Sequence, residues 1–64
     1  MKILIVGGGG REHALAWKLA QSDRAERIFA LPGNPGIAEI AECVPDIPVS
    51  DNSAIVSFAR AHEI

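Results

Sequence analysis

Residues 2–12 read KILIVGGGGRE, and this run gives the strongest structural signal in the chain. The β-branched and leucine side chains of residues 3–6 suit a strand that is covered on both faces, as in a parallel sheet. Four glycines, residues 7–10, end that strand. Helical periodicity follows over about residues 11–22, so this part of the chain predicts a strand, a glycine turn and a helix.

The rest of the chain continues this alternation. We predict a second strand over residues 27–31, a helical turn or two over residues 37–42, and a weak third strand over residues 43–47. Two prolines in and after the third strand place it at a sheet edge. A run of N-cap formers then precedes a second long helix, over about residues 53–63. The order β-α-β-(α)-β-α predicts an α/β fold, a partial Rossmann-like, doubly wound parallel sheet.

Helical periodicity also predicts which side chains face the sheet. In the first helix, the predicted inner arc consists of Leu15, Ala16, Leu19 and Ala20. Trp17 lies at the edge of this arc and His13 at its margin, so both are expected to be partly covered. In the second helix, the predicted inner face consists of Ile55, Phe58, Ala59 and His62. We expect the first strand to keep an open side and the second helix to lie over that open side, incompletely covered.

Composition excludes several classes of protein. A chain of 64 residues allows one domain at most, and its hydrophobic content of 48% argues against a disordered tail. The net charge is −2 and the sequence has no basic cluster, so no nucleic-acid partner and no membrane partner are expected. The single cysteine, Cys43, excludes an internal disulfide, and with two distant histidines it is too little for a zinc site. The apolar opening is too short for a signal peptide, and we expect a cytoplasmic location.

The glycine turn is the main candidate for a binding site. Glycines let a ligand approach the bare backbone, and the first amide groups of a helix have no internal partner and carry positive partial charge. A glycine turn that leads into a helix therefore suits a phosphate. A dinucleotide is disfavoured, because Glu12 occupies the place of the third fingerprint glycine and the second strand ends without an acidic residue. No Walker A lysine is present either, so a small monophosphate is the better prediction.

Three side chains near the turn have alternative interpretations. Glu12 faces the sheet, where it either braces the turn by accepting backbone hydrogen bonds, contacts a ligand, or only favours the helix dipole. Arg11 has the geometry to bind a phosphate but could equally face solvent. The loop of residues 32–36 follows the second strand and so lies at the same sheet edge as the glycine turn. Within it, Asn34 either presents its amide to a ligand or forms an Asx turn.

These motifs resemble those of a known enzyme family. The run GGGGREHALAWK of residues 7–18, followed by PGNPG at residues 32–36, resembles the phosphoribosylamine–glycine ligases, also called glycinamide ribonucleotide synthetases. The resemblance extends over the whole chain, although the family often has Asn in place of Gly8. It implies that residues 1–64 are an incomplete N-terminal pre-ATP-grasp domain, with no second domain in this chain.

The resemblance also implies a reaction. Enzymes of this ATP-grasp family join glycine to 5-phosphoribosylamine, form ADP and phosphate, and produce glycinamide ribonucleotide for purine biosynthesis. ATP and Mg or Mn would be bound by the remaining domains of the same polypeptide, so these 64 residues alone are expected to be inactive and hold no catalytic or metal-binding residue. The implied phosphoribosyl-binding residues are Gly8, Gly9, Gly10, Arg11, Glu12, Gly33 and Asn34. Two alternatives stay open, a dehydrogenase dinucleotide-binding domain and a stand-alone sugar-phosphate-binding module.

Overall fold

A computed structural model describes all 64 residues of the chain. Its elements are β1 (Lys2–Gly7), α1 (Gly10–Ala20), β2 (Arg27–Pro32), a short 3₁₀ helix (Ile37–Glu39), β3 (Glu42–Cys43) and α2 (Asn52–Ala61). This confirms the predicted order of strands and helices. None of the helices is long and apolar enough to cross a membrane.

The three strands form one parallel sheet in the order β1-β2-β3. β1 pairs with β2 along its whole length, from Lys2 opposite Arg27 to Gly7 opposite Pro32. β2 is therefore the middle strand of the three, and β1 has an unpaired outer edge. The open side that we predicted for the first strand is present.

The third strand is shorter than predicted and ends earlier. It consists of two residues, with Glu42 opposite Phe29 and Cys43 opposite Ala30. The next amide, of Val44, still donates to the carbonyl oxygen of Ala30 at 2.9 Å. Pro45 has no amide hydrogen with which to continue the ladder, and residues 44–47 form a turn instead of the predicted strand. The predicted position of this strand at a sheet edge is confirmed.

Helices cover both faces of the sheet, which confirms the doubly wound arrangement. On the α1 face, a small core consists of Ile5, Ala16, Ile28, Ala30 and Ile37. On the opposite face, the buried ring of Phe29 meets Phe58 of α2 edge-on, with their centroids 5.2 Å apart. The alternation of side chains along β2 produces this division, because neighbouring residues of a strand point to opposite faces.

The predicted inner arc of α1 is partly wrong. Ala16 is fully buried, but Leu15 is 56% exposed, Trp17 is 59% exposed and Ala20 is exposed. Because α1 rests on the sheet through Ala16, a small residue, Leu15 lies about 100° around the helix from the contact. Leu15 instead lines an exposed depression together with Arg11, Ala14 and Lys18.

The predicted inner face of α2 is correct, but the helix lies elsewhere than expected. Its inner residues are half-buried, and none is fully buried. Phe58 and His62 both pack on Phe29 of the middle strand, and the Lys2 ammonium donates to the carbonyl oxygen of His62 at 3.1 Å. The helix therefore lies over β1 and β2 rather than beyond the open edge, because the large Phe29 ring offers it an apolar contact there.

Candidate functional site

The glycine turn (residues 7–10) and the second loop (residues 32–36) lie side by side at the carboxyl edge of the sheet. Their position follows from the register, because Gly7 and Pro32 end paired parallel strands. The amide of Gly33 donates to the carbonyl oxygen of Gly7 at 3.1 Å. The predicted proximity of the two segments is thus confirmed. They lie at the edge where open α/β sheets bind their ligands.

Asn34 joins the two segments with its side chain. The Nδ2 group donates to the carbonyl oxygen of Gly8 at 2.8 Å, and Oδ1 accepts from the amide of Ile37 at 2.9 Å. The second bond is the predicted Asx turn, and it leads directly into the 3₁₀ helix. The amide of Asn34 therefore holds the second loop against the glycine turn, and contact with a ligand stays a prediction for this residue.

Two glycines of the turn are required by close packing. Gly7 has a φ of +142°, and a β-carbon on it would lie 2.5 Å from Cγ of Glu12. A β-carbon on Gly8 would lie 2.5 Å from the carbonyl oxygen of Gly33. In the second loop, Gly33 has a φ of +74° and faces the thiol of Cys43 in the same way. At these positions the absence of a side chain is explained by the protein itself.

The other two glycines of the turn face open space. A β-carbon on Gly10 would meet no atom within 4 Å, and one on Gly9 would meet only a carboxylate oxygen of Glu12, at 3.1 Å. Gly10 begins α1, so the amides of Gly10, Arg11 and Glu12 have no helical acceptor. These amides border a free volume in which the helix dipole favours an anion.

Glu12 braces the glycine turn. Its side chain is half-buried against Gly7, and Oε2 accepts a hydrogen bond from the amide of Gly9 at 3.1 Å. This confirms the bracing interpretation. The amide of Gly9 is thereby occupied, and the donors that remain at the N-terminus of α1 are those of the following residues.

Arg11 is exposed and lies in none of the three ion pairs of the structure. Those pairs join Met1 with Glu26, Lys2 with Glu63, and Arg27 with Glu42. The Arg11 guanidinium therefore has no intramolecular anion to satisfy it, and its charge adds to that of the helix N-terminus. Its role as a ligand contact stays a prediction.

A shallow depression adjoins the N-terminus of α1 and was not predicted from the sequence. It has a volume of about 300 Å³ and is lined by Gly10, His13, Ala14 and Trp17. A second depression, of about 400 Å³, lies on the neighbouring face of the helix and is lined by Arg11, Ala14, Leu15 and Lys18. The position of Trp17 at the edge of the apolar arc was the one sequence signal for the first of these. His13 is half-buried, as predicted.

Glu26, whose pKa is shifted by a neighbouring charge, lies away from this edge of the sheet. The N-terminal ammonium of Met1, 2.9 Å from Oε1 of Glu26, lowers the pKa of that carboxyl group. No group of three or more histidine, cysteine, aspartate or glutamate side chains lies close enough to hold a metal ion. This edge offers a ligand the backbone amides at the start of α1, the Arg11 guanidinium and the remaining acceptor capacity of the Glu12 carboxylate.

Comparisons with known proteins agree with this picture. The family model described as "Phosphoribosylglycinamide synthetase, N domain" matches residues 1–64. Curated relatives named phosphoribosylamine–glycine ligase are 55% identical in Rhizobium meliloti (strain 1021), 53% in Brucella melitensis and 53% in Caldanaerobacter subterraneus. Each alignment covers 100% of this chain and 15% of the relative. The chain thus spans about 15% of the length of these curated relatives.

Proposed function

Because the chain belongs to the phosphoribosylglycinamide synthetase N-domain family, we propose that it is the N-terminal part of a ligase that joins glycine to 5-phosphoribosylamine. That ligase would use ATP and would produce glycinamide ribonucleotide in purine biosynthesis. The observation that carries this proposal is the match of the family model over all 64 residues. The names of the curated relatives support it.

The contribution of residues 1–64 would be to bind the phosphate of the phosphoribosyl substrate. The amides of Gly10 and Arg11 would donate to the phosphate oxygens, and the Arg11 guanidinium would add a charged, forked donor. Gly10 supports this assignment, because nothing in the protein fills the space beside it. A phosphate held there would accept hydrogen bonds from the unpaired amides at the N-terminus of α1.

Glu12 would act differently from its neighbours. Its carboxylate carries a negative charge close to the turn and already accepts the amide of Gly9. It would not contact a phosphate, but its remaining acceptor capacity suits a sugar hydroxyl or the amine of the substrate. Gly33 and Asn34 would flank the same substrate from the second loop, which the bonds to Gly7 and Gly8 hold in place.

We assign the ATP and the Mg or Mn of such a ligase to its remaining domains, and we assign no catalytic step to residues 1–64. The side chains of these residues form no metal-ligating cluster.

Binding to the chain itself tests the phosphate site. Titration of the ¹⁵N-labelled chain with ribose 5-phosphate should shift the amide signals of Gly10, Arg11 and Glu12, and NAD should shift them less.

Gly10→Ala should weaken binding without loss of stability, since a β-carbon would fill the free space but touch no protein atom. Arg11→Ala should weaken binding more than Lys18→Ala, a matched loss of an exposed cation two turns further along α1. Equal effects of the two would contradict a site at the helix N-terminus.

A chimaera tests the ligase assignment separately. The 64 residues of this chain would replace the aligned segment of the Rhizobium meliloti ligase, to which they are 55% identical. We expect the chimaera to release ADP when supplied with glycine, phosphoribosylamine and ATP, and the same chimaera with Gly10→Ala to show a raised KM for phosphoribosylamine. A well-folded chimaera without activity would contradict the assignment.

A further inference from the structure

His13 and Gly36 form a matched pair between α1 and the second loop. A β-carbon on Gly36 would lie 2.5 Å from Cε1 and 3.0 Å from Nδ1 of the His13 ring. The backbone of Gly36 is in the ordinary right-handed region, with φ −68° and ψ −42°, which any residue can adopt. The conformation of Gly36 therefore does not require glycine there. What would meet an added β-carbon is the His13 ring, together with Oδ1 of Asn34 at 3.3 Å.

This contact joins the second loop to α1, and two hydrogen bonds join the same loop to the glycine turn that precedes α1. These are the bonds from Gly33 to Gly7 and from Asn34 to Gly8. Beyond Gly36 the chain enters the core at once, because Ile37 is fully buried. His13 is itself tied to the glycine turn, since its amide donates to the carbonyl oxygen of Gly9 at 3.0 Å. The His13 ring thus lies against the second loop at Gly36, one residue before Ile37 anchors the chain in the core.

We propose that His13 is a positioning residue for the phosphate site, with its ring holding the second loop at a fixed distance from the N-terminus of α1. The inference rests on the proposed function, because it is the substrate that requires this distance. In this role the ring acts on the ligand through the second loop rather than by direct contact. The ring determines the distance between Gly33 and Asn34 of the second loop and the free amides of α1. A small ligand can contact the loop and the amides together only at a suitable distance.

Three variants test the pair, namely His13→Ala, Gly36→Ala and the two together. Gly36→Ala should lower the unfolding midpoint, because its methyl group meets the ring. The double variant should regain much of that loss, since the methyl group then enters the space left by the ring and the two changes are not additive. His13→Ala should speed hydrogen exchange at the amides of Gly33 and Ile37. A double variant whose loss equals the sum of the single losses would overturn the proposed contact.

Ligand binding then tests the positioning role. His13→Ala should weaken ribose 5-phosphate binding by roughly tenfold, the size of one misplaced hydrogen bond to a charged group, and Gly36→Ala in that background should restore part of it. If the His13 ring itself bound the ligand, a methyl group added at Gly36 would not restore the affinity lost in His13→Ala. Unchanged affinity in His13→Ala, with the wild-type chain binding normally, would overturn the role. If the wild-type chain binds no ribose 5-phosphate, the proposed function fails, whereas the exchange and unfolding measurements still decide whether His13 positions the loop.

Discussion

The carboxylate of Glu12 closes the glycine turn by accepting the amide of Gly9 at 3.1 Å. The same side chain lies where a β-carbon of Gly7 would be. One acidic residue in the first turn of α1 thus satisfies a donor of the turn and occupies the space that a glycine leaves. The shape of the turn is fixed in this way before any ligand arrives, which leaves the next amides of the helix free.

Glycine substitutions should distinguish Gly7, which close packing requires, from Gly10, which faces open space. Gly7→Ala should lower the free energy of unfolding by about 2–3 kcal/mol, because φ at this position is positive and the side chain of Glu12 is in the way. Gly10→Ala should leave stability unchanged or raise it by up to about 1 kcal/mol, since alanine restricts the unfolded chain more than glycine does. Urea unfolding followed by circular dichroism measures both. Equal losses of unfolding free energy in Gly7→Ala and Gly10→Ala would contradict the open space that the structure shows beside Gly10.

Removal of the brace should loosen the turn. Glu12→Ala should cost about 1 kcal/mol of unfolding free energy through the lost hydrogen bond and the lost charge near the helix N-terminus. Glu12→Gln should cost less, because the amide oxygen still accepts from Gly9. Hydrogen exchange at the Gly9 amide, measured beside urea unfolding, should accelerate most in the alanine variant. Asp23→Ala removes an exposed acidic residue of a turn and should change neither quantity.

The first two strands, the glycine turn and the order of elements could be predicted from the sequence, because β-branched runs and glycine act locally. The orientation of α1 could not. Leu15 and Ala16 both belong to an apolar arc, and the choice between them depends on which part of the helix rests on β1 and β2. The rule for parallel strands correctly predicted that the second loop lies beside the glycine turn. The double use of Asn34, as an Asx turn and as a bond to Gly8, required the second loop in three dimensions.

The N-cap residue of α2, Asp51, should contribute to the free energy of unfolding, because α2 is short and has little buried surface to stabilise it. Oδ1 of Asp51 accepts the amide of Ala54 at 3.1 Å, and no residue of α2 is fully buried. Asp51→Ala should therefore cost about 1 kcal/mol and reduce helical ellipticity at 222 nm. Asn52→Ala, at the neighbouring exposed position, is the control. A similar loss in both variants would contradict a specific role of the cap.

Glu26 should give the chain a part of its stability at neutral pH. Its pKa is lowered by the Met1 ammonium, so the carboxylate is favoured in the folded state. Its contribution is present above the pKa that it has in the unfolded chain, and it is lost as the pH falls through the lower, folded value. Glu26→Gln should therefore flatten the decline of unfolding free energy on acidification. Parallel pH profiles for the variant and the untagged wild-type chain would contradict this.

The open edge of β1 should make the isolated chain marginally stable, self-associating or both. β1 offers six residues with an unpaired backbone on one side, and such edges pair with other chains unless a charge or a proline prevents it. Only eight of the 64 residues are buried, so the core that resists rearrangement is small. Light scattering coupled to size exclusion should show a mean mass that rises with concentration, and urea unfolding should be broad.

A lysine on the edge strand provides the sharper test of the same prediction. Val6, on β1, is 44% exposed, and Val49, in the segment before α2, is 54% exposed. Val6→Lys should return the chain to a monomer, because the charge would have to be desolvated when two edges pair. Val49→Lys adds the same charge and removes the same side chain away from the edge, so it should leave association unchanged. A wild-type chain that is monomeric at all concentrations, with a sharp unfolding transition, would show that the edge is already protected.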